Sequence, residues 1–557
     1  MFFGGAILNF KKLTVLCLAI CILFLNGCKS KNNTNTSSVG NVTSNITADS
    51  EINMLYSSKD TLNPYTCVTS QNKILTGLMF DSLVVLNNNY EYINHIAKSI
   101  SYKDKVYNII LNDIYFSDGS KLTASDVVFS LNIAKKSTEY ALSLKYIAST
   151  NTSDANCLTI TLSRDDPYFA NLLTFPIIKS DSDKLTDSDK RLLPPIGSGR
   201  FVFDVENKLL VSNPKHHGGI SKIAKINLTD CPDSESVNQT ISTGAVDFYF
   251  TDMLNNVIPK MNGNSADVPQ SRIVFLGINP NSQRLSNVYF RQGVSAAIDR
   301  EKICKSAYYS KATVATGPYP SNWKIASNLQ TISKNANIET TDMNIKSAGF
   351  GKKDKNGYYI AKNNQPITLT LLVSSDNVCR LSAARLIKDN LESAGIKINL
   401  VSVNNSKFLS ELSAKKYDLY LGEIRFHNNL DLGSLVSLNS AEEFLKATQN
   451  TSSYASSKTV SSKTVSSKSS SSSSEVASGT SGTTDDENST QNVKTKDIYD
   501  GFYNGVYTTE DVISAFNAEL PVIPICFRNG LVIYSNRLGT GITPVISDLF
   551  YNIEKIK

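Results

Sequence analysis

The chain has 557 residues, is 41% hydrophobic and 19% charged, and carries a formal net charge of +6. Such a length exceeds one compact core and implies two or three domains. With so small a charge and no basic stripe, the electrostatic footprint of a nucleic-acid binder is excluded.

At the N-terminus, Lys11 and Lys12 precede LTVLCLAICILFL, residues 13–25, an apolar run about as long as a signal-peptide core. Leu25-Asn26-Gly27-Cys28 follows and resembles a bacterial lipobox, in which the Cys is lipidated and becomes the first residue. A plain secretory signal and an N-terminal membrane helix are the alternatives. Cleavage before Cys28 would remove two lysines and no acid, taking the charge from +6 to +4. A lipid on Cys28 would hold the protein outside the cytoplasm, anchored to the cell membrane. No later segment is apolar enough to span a bilayer.

Residues 28–50 are small and polar and read as a flexible tether. KVYNIILND, residues 105–113, reads as a strand. Ser117-Asp118-Gly119 is turn chemistry. Thr123 then caps a helix, Asp126 completes a capping box, and Leu122 and Val127 are placed for a hydrophobic staple. Val127, Leu131 and Ala134 continue at helical spacing.

Further on, ITLTLLVSS (367–375) reads as a strand. RLSAARLIKDNLESA (380–394) reads as an amphipathic helix ended by Gly395, and IKINLVSV (396–403) as a second strand. Another helix and strand follow through NSKFLSELSAKKYDLYLGE. This β-α-β-α-β run implies a largely parallel sheet with crossover helices. Residues from about 448 to 495 are Ser-rich, with SSKTV repeated, and read as a disordered insert inside a domain. Patterned sequence resumes at YTTEDVISAFNAELPVIPICF.

Of nine cysteines, Cys17 and Cys21 lie in the leader and Cys28 is the anchor. Cys67, Cys157, Cys231, Cys304, Cys379 and Cys526 are scattered, with no CxxC pair, so no zinc site is expected of them. Buried free thiols are expected. His216-His217 is not expected to bind metal, because neighbours on one strand point to opposite faces. Cys304 and His427 have no flanking motif for a nucleophile and its base.

Six stretches, in order, resemble bacterial solute-binding protein family 5, the extracytoplasmic receptors of peptide-type ABC importers. FSDGSKLTASDVVFSLNIA (116–134) matches the family's strand, D-G turn and Leu-Thr-Ala-x-Asp-Val helix. MFDSLVVLNNNYEYINHIAKSI (79–100) resembles the segment before it. PPIGSGRFVF with VSNPKHHGG resembles a Gly-Thr-Gly-Pro-Tyr turn and an Asn-Pro-x-Tyr-Trp-Gly-Gly segment, with His216-His217 replacing Tyr-Trp. GAVDFYF, NVYFRQGVSAAIDREKI and LPVIPICF complete the set.

The resemblance implies an α/β, periplasmic-binding-protein-like fold. Two lobes are joined by a two-strand hinge, with an extra subdomain on lobe one. The expected boundaries are a signal peptide over 1–27, the tether over 28–50, and lobe one over 51–275 with its subdomain at about 90–180. Lobe two is expected over 276–510 with the insert, and a return to lobe one over 511–557. The hinge strands are expected near 275–279 and 521–527. The implied protein is a monomer with no enzymatic activity, no cofactor and no metal. It captures a small solute, a peptide first, and hands it to ABC permease subunits. A sensor or interaction lipoprotein on the same scaffold is the alternative.

Peptide-binding members pair a buried Asp with the ligand's amino group. Here the corresponding stretch is GEIRFHNNLDLGSL, 422–435. Glu423 stands for the family's Trp, Asn428 for the key Asp, and Asp431 for a second Asp. A neutral amide holds an ammonium group less well than a carboxylate, which puts recognition of a free peptide N-terminus in doubt. Arg425 would attract an acidic ligand group or form a structural ion pair. Trp323, the single Trp, would face ligand or pack in the core. Asn63 and Tyr65 follow the first strand, and Phe527 and Arg528 follow the second hinge strand; these four complete the expected ligand set.

Overall fold

The capped unit at 116–134 forms as its sequence dictates. In the computed structural model the helix spans Ala124–Ala134, and the Thr123 and Asp126 side chains complete a capping box. Asp126 Oδ2 accepts from the Thr123 amide at 2.9 Å and from its hydroxyl at 2.7 Å. Leu122 and Val127 are fully buried, as a staple requires. Gly119 takes φ +91° in the preceding turn, a conformation an L side chain rarely adopts. Residues 50–253, 261–329, 331–436, 441–442, 444–445, 494–539 and 542–555 are described. The leader, Cys28, the tether to residue 49 and the Ser-rich stretch to residue 493 lie outside them.

Lobe one holds a four-stranded sheet of Ser50–Tyr56, Ile223–Asp230, Leu209–Ser212 and Phe201–Asp204. The first pair is parallel and the rest antiparallel. A separate antiparallel sheet of Ala97–Lys103, Val106–Leu111, Cys157–Leu162 and Ile147–Asp154 forms the subdomain. In Val106–Leu111 the alternation is clean: Tyr107, Ile109 and Leu111 face inward and Asn108 and Ile110 outward. One apolar core is shared by both sheets and the capped helix.

A seven-stranded sheet carries lobe two. Thr368–Ser374 pairs in parallel with Lys397–Val403 and with the start of Leu419–Arg425, joined by the helices Val378–Ser393 and Asn405–Ser413. The predicted crossover run is therefore present. Gly395 ends the first of these helices at φ +97°, and a Cβ there would meet the Gly357 carbonyl oxygen at 2.7 Å. The rest of the sheet is antiparallel, so the whole is mixed rather than largely parallel.

Two long antiparallel strands, Asn264–Ile278 and Ile523–Tyr534, connect the lobes. Val268, Val532 and Tyr534 lie in the core of lobe one, while Val274, Leu276, Ile523 and Ile525 lie in that of lobe two. The register breaks between Pro269 and Arg272, and Ser271 takes φ +52°. The crossing thus lies at 269–272, just before the expected 275–279, whose Phe275, Leu276 and Ile278 are already buried within lobe two. Phe248–Thr251 pairs with residues 531–534, and Leu538, Phe550 and Ile553 lie in the core of lobe one. Arg300, fully buried, donates to the carbonyls of Ser295, Ser333 and Pro524 and fastens its helix to a crossing strand.

No described helix is long and apolar enough to cross a membrane. Of the six described cysteines, all but Cys157 are buried.

Replacing Thr123 by Ala should cost about 1 kcal/mol in urea unfolding, the usual worth of a cap. Asp126→Ala should cost more, about 2–3 kcal/mol, because Asp126 Oδ1 also accepts from the Ser180 amide and hydroxyl.

Candidate functional site

Where the two strands leave lobe one, charge collects. Arg272 and Arg528 are cross-strand neighbours just past the bulge. Glu423, on the adjacent strand, lies between them and Arg380 of helix Val378–Ser393. Glu423 Oε2 stands 3.2 Å from Arg380 Nη2 and 3.5 Å from Arg528 Nη1, and Oε1 3.7 Å from Arg272 Nη1. The Glu423 side chain is 2% exposed and that of Arg528 1%, so water does little to screen them. Burial alone would raise the Glu423 carboxyl, but the three guanidiniums bring it below its ordinary value. Arg528 Nη2 donates to the Asp252 carbonyl.

Three cations on one carboxylate leave a positive surplus. Arg528 Nη1, Arg272 Nε, Arg380 Nε and the Tyr308 hydroxyl are buried without a hydrogen-bond partner among the described residues. An anionic group is what this set would take up, because each unmade bond costs most where water is absent.

A second group of contacts joins the lobes. Arg164, at the end of a subdomain strand, pairs with Asp431 of lobe two at 2.5 Å. Its guanidinium sits between the rings of Tyr146 and Tyr503, 3.6 and 3.4 Å from their centroids. Asp431 also accepts from the Tyr499 hydroxyl and the Gly433 amide. Asn428 Nδ2 donates to Thr174 Oγ1 at 3.0 Å, and Asn429 Nδ2 to Asp166 Oδ2 at 2.8 Å. Tyr168 packs edge-on against Trp323 at 5.2 Å and shares a hydroxyl contact with Thr509. Lobe one and lobe two are closed on each other along this line.

The expected ligand residues are thus divided among several places. Asn428, Asp431 and Trp323 meet at the closure line. Arg528 belongs to the charge cluster, and Phe527 beside it is buried in the core of lobe two. Arg425 is exposed at its strand end, with Arg272 as its cross-strand neighbour. Tyr65 is buried in lobe one, with its hydroxyl bound to the Pro176 carbonyl. Asn63 makes the turn ahead of it, its Oδ1 accepting from the Tyr65 amide. Glu423 stands in the 422–435 stretch but not as an expected ligand residue, and Arg272, Arg380, Arg164 and Asp166 lie on separate segments that no local motif links.

His216-His217 calls for a correction. The pair lies in consecutive turns after Leu209–Ser212, not on a strand, so the opposite-face rule does not apply. The two rings are 4.6 Å apart.

Burial lifts the Asp166 carboxyl to about 6, with Asn429 and Arg164 pulling the other way. Asp431 is shifted down: burial raises it, and Arg164, Tyr499 and the Gly433 amide outweigh that. Closure stabilised through a raised carboxyl is lost as pH rises through about 6. Closure stabilised through a lowered carboxyl is lost as pH falls through its depressed value. Small-angle scattering should therefore show the most compact form near pH 4, loosening progressively as pH rises from there through about 6. Asp166→Asn should remove the loosening toward neutral pH. Glu423→Gln should cost about 3–5 kcal/mol in unfolding, because it leaves buried guanidiniums uncompensated.

The family model for bacterial extracellular solute-binding proteins, family 5 (middle), matches residues 91–443. The oligopeptide-binding protein AppA of Bacillus subtilis is 22% identical over 433 residues, which cover 72% of this chain and 77% of AppA. The glutathione-binding protein GsiB of Escherichia coli K12 is 21% identical over 371 residues, 64% of this chain and 70% of its own. Among solved structures, a nickel ABC transporter protein from Bacillus halodurans aligns with a TM-score of 0.66 at 16% identity, over 90% of this chain and 98% of that one. AppA of Bacillus subtilis with a nonapeptide aligns at 0.53 and 16% identity, over 91% and 99%. At that identity the two structures speak for the fold alone. The matched model covers well over half of the sequence, and the chain belongs to the bacterial extracellular solute-binding proteins of family 5.

Proposed function

We propose that this protein is the solute receptor of a peptide-type ABC importer, held at the outer face of the cell membrane through a lipid on Cys28. It closes two lobes over a short oligopeptide and passes it to the permease. The carrying observation is the buried surplus of positive charge at the crossing strands, where Arg272, Arg380 and Arg528 share Glu423. In this reading an acidic end of the solute, such as a peptide carboxylate, answers that surplus. The similarity to oligopeptide- and glutathione-binding proteins supports the solute class.

Asn428, Asp431 and Trp323 then act at the rim. Their bonds to Thr174, Arg164 and Tyr168 hold the lobes together over the solute. Asn428 does not anchor a free amino terminus, since its amide lacks the charge that would compensate an ammonium group.

A thermal-shift panel of tri- to hexapeptides tests this. Free and N-acetylated peptides should raise Tm saturably, because binding to the native state stabilises it. C-terminal amidation, or Arg380→Gln, should weaken binding about tenfold or more, equal to about 1.4 kcal/mol. Loss of binding on N-acetylation, equal binding of amidated peptides, or no response to any peptide would each overturn the reading.

A further inference from the structure

The chain has four histidines, and three of them meet around one buried aspartate in lobe one. Asp81 follows the helix Ser70–Met79, His95 lies between the strands Tyr92–Asn94 and Ala97–Lys103, and His216 and His217 occupy the turns after Leu209–Ser212. One ligand atom from each of the four residues can be chosen so that all lie within 4.8 Å of one another. This group is separate from the Arg cluster at the crossing strands.

The spacings suit ligands around an ion better than hydrogen bonds. Asp81 Oδ2 stands 3.6 Å from His216 Nε2 and 3.5 Å from His217 Nε2. Good hydrogen bonds would need about 2.7–3.2 Å. Ligands at zinc bond lengths of about 2.0–2.1 Å in a tetrahedron are about 3.3 Å apart. His216 is 6% exposed, and its Nε2 is buried without a hydrogen-bond partner among the described residues. His95 Nδ1 is buried and unpartnered as well.

The surroundings favour a cation. Asp81, Asp548 and Glu554 all act on one guanidinium, Arg200, which pairs with the last two at 2.7 and 3.0 Å. With the imidazoles neutral, two negative charges remain uncompensated within that set. Part of the outer shell is in place. Ser198 Oγ donates to Asp81 Oδ2 at 3.1 Å. His216 Nδ1 lies 3.4 Å from the Gly219 carbonyl, to which it would donate with Nε2 on the ion; the Gly218 amide, which donates to Nδ1 at 3.2 Å, competes for that nitrogen and would have to release it. A cavity of about 160 Å³ lined by Asp81, His95 and Arg200 gives a path in.

We propose that Asp81, His95, His216 and His217 form a binding site for a divalent first-row transition ion, with Zn²⁺ the best fit to three imidazoles and a carboxylate. The ion would tie the turn at 213–219 and the segment at His95 to the end of the helix at 70–79. It is a site on the scaffold of lobe one, independent of whatever solute the lobes enclose.

The test uses the full-length protein, stripped with chelator and titrated with Zn²⁺ and, as a spectroscopic probe, Co²⁺. Wild type and His427→Ala, which leaves the three clustered histidines intact, should each bind one equivalent. The Co²⁺ form should show the intense visible absorption of a tetrahedral field, and Zn²⁺ should raise Tm. His217→Ala, at the exposed edge of the cluster, should bind at least tenfold more weakly, and His95→Ala/His217→Ala should lose the Co²⁺ spectrum. Should the double variant not fold, His217→Gln alone gives the same comparison. Absence of binding by wild type, or undiminished binding by His217→Ala or His217→Gln, would overturn the proposal.

Discussion

The antiparallel ladder between Asn264–Ile278 and Ile523–Tyr534 is the constraint on which the rest depends. One run of backbone hydrogen bonds passes through two separate apolar cores, so neither lobe forms without placing the other. The bulge after Pro269 is where that ladder gives way. Bulged strands bend and twist more than regular ones, so a change in the angle between the lobes would be absorbed there. The Arg cluster stands directly beside that point, so a group bound to Arg272 and Arg528 would act on the strands that join the lobes.

Two buried electrostatic arrangements divide the work. Around Glu423 the charges do not balance, and unmade hydrogen bonds remain at Arg272, Arg380 and Arg528. Around Asp431 they balance well: one guanidinium, one tyrosine hydroxyl and one amide satisfy the carboxylate. A buried pair repays its desolvation only where further hydrogen bonds complete it, as the Tyr499 hydroxyl and the Gly433 amide do for Asp431, and removing one partner from it costs much. The first arrangement suits capture of a charged group and the second suits closure.

Local features were largely legible. The Thr123–Asp126 capping box, the alternation in Val106–Leu111 and the Gly395 helix stop each depend on residues within a few positions of one another. The ordered motifs carried the family, since they record those local units in sequence. The ligand set was legible only in part. Asn428 and Asp431 meet partners from lobe one and Arg528 meets Glu423, while Tyr65 is turned into lobe one by the Asn63 turn and its bond to the Pro176 carbonyl. His216-His217 escapes the strand rule of opposite faces because the Asn213 and His216 carbonyls close successive turns there.

By itself the sequence determined the elements, their order, the α/β class and the family, because capping, periodicity and turn chemistry act over short range. Only the tertiary structure decided which charges meet. Glu423 joins Arg272, Arg380 and Arg528 from four separate segments, Arg164 reaches Asp431 across the two lobes, and His95 reaches His217 from another turn of the chain. Such meetings are set by how the sheets stack and where the long strands cross. No spacing along the chain encodes them, because packing of the apolar cores brings the segments together and the polar groups arrive with them.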